Sequence, residues 1–282
     1  MALPSASDAW NGSSPTDASG EPGHCRWVSV QHSALSGPFE QCTRPYDDVV
    51  SLAVQSEPDH LFPDCRMLPL LWHVLSQHGG RPGDLFVDAG ANIGSCTLLM
   101  ASMNVTTISF EPSQSNLFYL TRSLLSPTNY ALKRHVALYR FGLGDTIKWY
   151  QLYAQEGNAG NSVLGAPLEM AQRQPLGRVW TQPLDSVASR WASAATASPP
   201  RIGVLKIDTQ GFETRVLRGA RQLLRAGRVR CVAFEVAEKW LHGQNTSAQR
   251  LLNLLHSHRF TPMVMKEHCA RFRRCAFALP CV

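Results

Sequence analysis

"DLFVDAGANIGSCTLLMASMNVTTISFEP", residues 84–112, is the stretch on which the fold turns. A short apolar run of strand length ends in Asp88 and two small residues, and a glycine-bounded turn follows from Gly90 to Gly94. "GSCTLLMASM" then reads as a helix, and "VTTISFEP" as a β-branched strand that ends in Glu111. Strand, helix and strand joined by short links imply a right-handed crossover and two parallel strands.

The alternation continues downstream. "SQSNLFYLTRSLL" is a helix opened by the N-cap Ser113, "HVALYRF" a third strand, "IGVLKID" a fourth and "VRCVAFEV" a fifth. Between them "TIKWYQLYAQ" alternates at period two and reads as an inserted antiparallel strand. "EGNAGNSVLGAP" reads as a Gly/Asn loop, and "RVWTQPLDSVASRWA" as a strand and a short helix capped by Asp185. "ETRVLRGARQLLRAG" has the apolar spacing of one helix stopped by Gly227, and "SAQRLLNLLHSH" is a helix from N-cap Ser247. "FTPMVMKE" and "CAFALP" read as a closing pair of strands. The fold class is therefore α/β, a doubly wound open sheet with helices on both faces.

Ahead of this domain, assigned to residues 84–282, two further segments are expected. Residues 1–24 are rich in Ser, Gly, Pro and Ala with little to bury, the composition of a disordered tail. Residues 25–83 form a cap, with one short helix around Val49 to Val54 and an amphipathic one from Met67 to Gln77.

With 282 residues, 44% of them hydrophobic, the chain can bury a substantial core. Its formal charge of +6 comes partly from scattered arginines such as Arg215, Arg218, Arg221 and Arg225. These read as a solvated helix face, and without stacking aromatics beside them nucleic-acid binding is not expected. None of the eight cysteines forms a CxxC pair, so no zinc or other metal is expected. Cys96 and Cys231 lie in apolar elements and read as buried thiols; Cys25, Cys42, Cys65, Cys269, Cys275 and Cys281 are free to pair in an oxidising compartment. Asn11, Asn104 and Asn245 open glycosylation sequons. No run approaches the length of a membrane span and no signal peptide is visible, so the chain as it stands reads as cytoplasmic; a trimmed leader would put it in the secretory lumen.

In an open parallel sheet, ligands bind beyond the carboxyl ends of the strands. Asp88, Gly90, Asn92 and Gly94 form a G-x-N-x-G turn at the first such end. Asn92 stands where a dinucleotide fingerprint needs bare backbone against a pyrophosphate, which disfavours a nicotinamide cofactor. Glu111, about 20 residues on, is placed to accept ribose hydroxyls. At the fourth strand end, Lys206 and Asp208 close an apolar run. They serve either as catalytic groups at the cleft mouth or as structural ones, Lys206 paired with Glu235 and Asp208 capping the next helix.

"FVDAGANIG", "SFEP", "FGLGD", "QPLDSV" and "LKIDTQGFETRVLRGA", in this order and spacing over roughly residues 84–236, resemble the FkbM family of methyltransferases. The last string is the most specific. The resemblance implies a mostly parallel seven-stranded, Rossmann-like sheet with a reversed C-terminal hairpin, S-adenosyl-L-methionine as cofactor, and O-methylation of a hydroxyl on a sugar or other small-molecule acceptor. It implies that Asp88, Gly90, Asn92 and Gly94 frame the methionine part, Glu111 the ribose, and the turn Gly142 to Asp145 the adenine edge, with Ser113 and Asn116 near it. It further implies Asp208 as the group that takes or orients the acceptor proton, Lys206 as its electrostatic partner and Glu213 as an assistant, with Asn161 in a polar loop near the acceptor. Gln210 departs from the family's usual glutamate and removes a carboxylate. Two rival readings stay open: a Rossmann oxidoreductase, and a binding module that keeps the fold without turnover.

Overall fold

The structure, a computed structural model, describes residues 24–45, 48–155, 158–165, 173–191, 199–263 and 275–279. The expected tail and Cys269 and Cys281 lie outside these residues. In chain order the elements are β1 (Arg26–Val30), β2 (Phe39–Thr43), α1 (Val49–Ser56), α2 (Met67–Gln77), β3 (Leu85–Ala89), α3 (Ser95–Ser102), β4 (Thr107–Phe110), α4 (Gln114–Leu125), β5 (Val136–Tyr139), β6 (Gly142–Leu143), β7 (Lys148–Gln155), β8 (Asn158–Leu164), β9 (Arg173–Gln182) and α5 (Leu184–Ala188). There follow β10 (Ile202–Ile207), α6 (Glu213–Gly219), α7 (Arg221–Arg225), β11 (Val229–Glu235), α8 (Glu238–Gly243), α9 (Ala248–Ser257), β12 (Thr261–Met263) and β13 (Cys275–Leu279).

The main sheet runs β12-β13-β11-β10-β3-β4-β5, and every neighbouring pair in it is parallel. Strand order reverses between β3 and β10, which opens a crevice at their carboxyl ends. Successive strand residues face opposite layers. Leu85, Val87, Ile108, Leu205 and Phe234 pack with α5, α6, α7 and α9, while Phe86, Leu138, Val204 and Cys231 pack with α2, α3 and α4. On α4 the apolar face is Leu117, Leu120 and Leu124, at helical spacing, and truncating any of these buried leucines to alanine costs about 2–5 kcal/mol. A second, four-stranded sheet, β6-β9-β7-β8, flanks the crevice. Among the described residues no helix is long and apolar enough to cross a membrane.

The segment before residue 84 is fastened to the domain. Its antiparallel β1–β2 ribbon reaches α4 where the Cys42 amide donates to Ser123 Oγ, and α2 packs onto the sheet. Fully buried Arg44 donates to Asp48 Oδ2 at 3.2 Å and to Asn116 Oδ1 at 2.5 Å, and its guanidinium stacks over Tyr119. Disulfides join Cys25 to Cys42 and Cys65 to Cys96.

Five expectations are corrected. Cys96 is not a thiol but half of a disulfide, because α3 brings it against Cys65; Cys231 is buried and in neither disulfide. The closing strands do not form a reversed hairpin. Both their pairings are parallel, and the span from Met263 to Cys275 is far longer than a hairpin turn requires. "GNAGNSVL" is not a loop but β8, whose Val163 and Leu164 are buried opposite Tyr153 and Leu152. The expected helix over 213–227 is two, broken at Ala220. Asp185 caps the second of them instead of its own helix, accepting from the amides of Gln222 and Leu223 at 2.8 and 3.0 Å. The short helix α8 carries too few apolar residues for its period to show in the sequence.

Candidate active site

The crevice at the β3–β10 reversal holds a cavity of about 160 Å³. Its walls come from the turn after β3, the tips of β4 and β6, the ends of β10 and β11, β7 and β8 of the second sheet, Trp240 of α8, and the pre-domain α1 and residues Phe62, Asp64 and Cys65.

The turn after β3 needs its glycines. Gly90 has φ +86, and a Cβ there would lie 1.8 Å from the carbonyl oxygen of Asp208. Gly94 has φ +94, and a Cβ would collide with Leu120 of α4. Asn92, at φ +52, accepts from the Ile93 amide with its side chain, a local bond that suits the left-handed conformation. Asn92 N–H in turn donates to Glu111 Oε2 at 2.8 Å, so the β3 turn and the β4 tip are joined through one carboxylate.

The other oxygen of Glu111 accepts from Ser113 N at 2.8 Å and Asn116 Nδ2 at 3.2 Å. Burial pushes the Glu111 carboxyl up to about 7 against the lowering effect of these hydrogen bonds. A carboxylate has about four acceptor positions, so one remains for a ligand hydroxyl. Ser113 caps α4 and supports Glu111 without itself lining the cavity, whereas Asn116 lines it. Gly142 also lines it; Asp145 does not, being paired with Arg215 at 3.3 Å.

The ends of β3 and β10 carry the charged centre. Asp88 is fully buried and accepts from Thr97 Oγ1 at 2.8 Å and from Lys206 Nζ at 3.1 Å. Lys206 also donates to the Gly90 carbonyl at 3.3 Å and to Asp208 Oδ2 at 3.4 Å. Burial alone would push Lys206 down, but the carboxylates of Asp88, Asp208 and Asp64 outweigh it and hold the lysine above its ordinary value, charged. Burial raises Asp88 despite the same lysine.

Neither structural alternative for this pair is what the geometry gives. Lys206 pairs with Asp88 and Asp208, not with Glu235, and Asp208 is not the cap of α6, whose N-cap Phe212 has no side-chain bond. Glu235 instead accepts from Gln210 Nε2 at 2.7 Å. Glu213 lies off the cavity wall. Its Oε1 accepts from Thr209 N, Thr209 Oγ1 and Gly211 N at 3.0–3.2 Å, bracing the turn after β10, and burial pushes its carboxyl up to about 7.

Asp64, Glu235 and Trp240 line the cavity without having been singled out as site residues. Glu235 stands at a strand's carboxyl end, a position that flags it. Asp64 follows Pro63 in an irregular segment, where no period marks it.

An open parallel sheet whose reversal point carries a glycine turn facing a buried acid one strand away has the architecture of the Rossmann-like α/β class. The methyltransferase FkbM domain family matches residues 88–262, and the chain belongs to that family. A comparison with curated proteins finds no match. Among solved structures the chain is similar to methyltransferase FkbM from Methylobacillus flagellatus KT, at 20% identity over 62% of this chain and 37% of that one, with a TM-score of 0.40.

Proposed function

We propose that the chain is an S-adenosyl-L-methionine-dependent methyltransferase acting on a hydroxyl of a sugar or other small-molecule acceptor. The observation that carries this reading is the Asn92–Glu111 bond: it presents a bare glycine turn and a ribose-accepting carboxylate to one cavity. The residues fit the cofactor, since Gly90, Asn92 and Glu111 line one cavity and Asn92 stands where a pyrophosphate would need bare backbone.

In this reading Gly90 and Asn92 hold the methionine part, with Asp88 and Gly94 off the cavity wall and fixing the turn from behind, Glu111 with Asn116 the ribose, and Gly142 the adenine edge. The cofactor supplies a methyl group on a sulfonium centre. Asp208, at the cavity wall, holds the acceptor hydroxyl and takes its proton. Lys206 donates to Asp208 Oδ2 and so fixes its orientation. Glu213 acts at one remove by holding the turn that carries Asp208. Residues 84–282 constitute the methyltransferase domain, and residues 25–83 a cap that completes its cleft.

Calorimetry with adenosylhomocysteine and with NAD tests the cofactor, and transfer of labelled methyl from adenosylmethionine to a panel of glycans and phenols tests the reaction. Adenosylhomocysteine should bind and NAD should not. Binding of NAD alone would make the protein an oxidoreductase; binding of adenosylhomocysteine with no transfer to any acceptor class would make it a silent binding module.

A further inference from the structure

Asp64 lies outside the residues matched by the family, yet it sits in the wall of the cavity. It belongs to a single 3₁₀ turn, Pro63–Cys65, and is only 4% exposed. One of its oxygens, Oδ1, is buried with no hydrogen-bond partner. Leaving a buried carboxylate oxygen unsatisfied costs about 1–3 kcal/mol or more, and among the described residues it is the one such side-chain atom whose residue lines the cavity.

Its position in the wall narrows the ligand. Asp64 is adjacent to Cys65, which is covalently bound to Cys96 in the first turn of α3. Phe62, Asp64 and Cys65 therefore line the cavity beside Cys96 at the start of α3, and Asp64 feels the charges of Asp208 and Lys206 at the end of β10. The nearby lysine, Lys206, already serves Asp88, Asp208 and the Gly90 carbonyl. Burial first, and then the negative field of Asp208, pushes Asp64 up to about 7. What this corner lacks is a second positive charge. A neutral hydroxyl would satisfy the oxygen but leave Asp64 and Asp208 repelling each other; an ammonium does both.

We infer that Asp64 binds the α-ammonium at the amino-acid end of the methyl donor, so that the cap segment supplies part of the cofactor site. This rests on the reading of the cleft as an adenosylmethionine site. The segment's attachment through the Cys65–Cys96 bond then holds the carboxylate against the glycine turn.

The test is calorimetric, on the full chain, with three probes: adenosylhomocysteine, its analogue with the α-amino group replaced by hydrogen, and 5′-methylthioadenosine, which lacks the amino-acid end. The wild type should prefer adenosylhomocysteine over the deamino analogue at least tenfold. Asp64→Asn should erase that preference while changing methylthioadenosine affinity less than twofold. An unchanged preference in Asp64→Asn overturns the inference, as does an equal loss for all three probes, which marks a packing role. A wild type that binds methylthioadenosine but does not discriminate the amino group overturns it and leaves the cofactor reading standing. Failure of the wild type to bind any of the three removes the cofactor reading itself. If Asp64→Asn does not fold, Asp64→Ser takes its place.

Discussion

Gln210 reaches two carboxylates with one amide nitrogen: Nε2 lies 3.1 Å from Asp208 Oδ1 and 2.7 Å from Glu235 Oε2. The residue sits at φ +52 in the turn after β10, and its amide bridges two neighbouring acids in the cavity wall. Burial and the nearby Asp208 hold the Glu235 carboxyl well above the ordinary carboxylate range.

Restoring an acid here should therefore be harmful. Gln210→Glu removes both donations and sets a third carboxyl beside Asp208 and Glu235. A loss of about 1–3 kcal/mol in chemical denaturation at pH 8 is expected. The deficit should shrink at pH 5, where the carboxyls share protons. Equal stability at pH 8 would mean the amide bridge contributes nothing.

Asp208→Asn should lower methyl transfer about a hundredfold or more while leaving adenosylhomocysteine affinity nearly unchanged. Lys206 keeps Asp88 and the Gly90 carbonyl as partners in that variant, so the fold should persist. Wild-type turnover in Asp208→Asn would take the proton-accepting role away from it.

Gly90→Ala should be among the most damaging single changes. The left-handed backbone costs about 1–2 kcal/mol for a residue with a Cβ. The overlap with the Asp208 carbonyl adds about 1–3 kcal/mol, since that oxygen belongs to the backbone and cannot swing away. Thermal melting and cofactor binding should fall together.

Stability should fall as pH rises from about 5 to 8. Asp64, Glu111 and Glu213 are pushed from ordinary values of 3.8, 4.5 and 4.5 up to about 7 in the folded chain, in each case chiefly by burial. Between those limits the folded state holds more protons than the unfolded one, so the stabilisation is complete below the lower values and is lost through pH 7. Glu213→Gln should make the decline of melting temperature with pH shallower. A wild-type melting temperature that rises over this range contradicts the three shifts.

Cys65→Ser should lower stability by roughly 3–4 kcal/mol, from the 31-residue separation of the bonded cysteines. Melting of the variant against the wild type, both without reductant, measures it.

Much of the scaffold was legible because its apolar runs, helix caps and turn glycines are local features of the sequence. The α3 and α4 helices, the Ser113 and Ser247 caps and the five central strands all carry local signals. What escaped was decided by contacts distant in sequence. Asp185 caps a helix 37 residues on; β8 acquires its character from β7; Cys96 finds a partner 31 residues before it. In the site, the Gly90 turn and Glu111 share a motif spacing and could be read together. Glu213 could not be read correctly, because its approach to the turn amides depends on where the chain folds back after Asp208. Asp64 belongs to a stretch with no period at all, and only the folded chain carries it to the wall.

The corner around Asp64 is a small store of protons at neutral pH. A positively charged guest would expel them into solution, and the measured heat of binding would then depend on the buffer that receives them. The same complex formed in phosphate and in Tris should give two different enthalpies, and their difference divided by the gap in buffer ionisation heats counts the protons released.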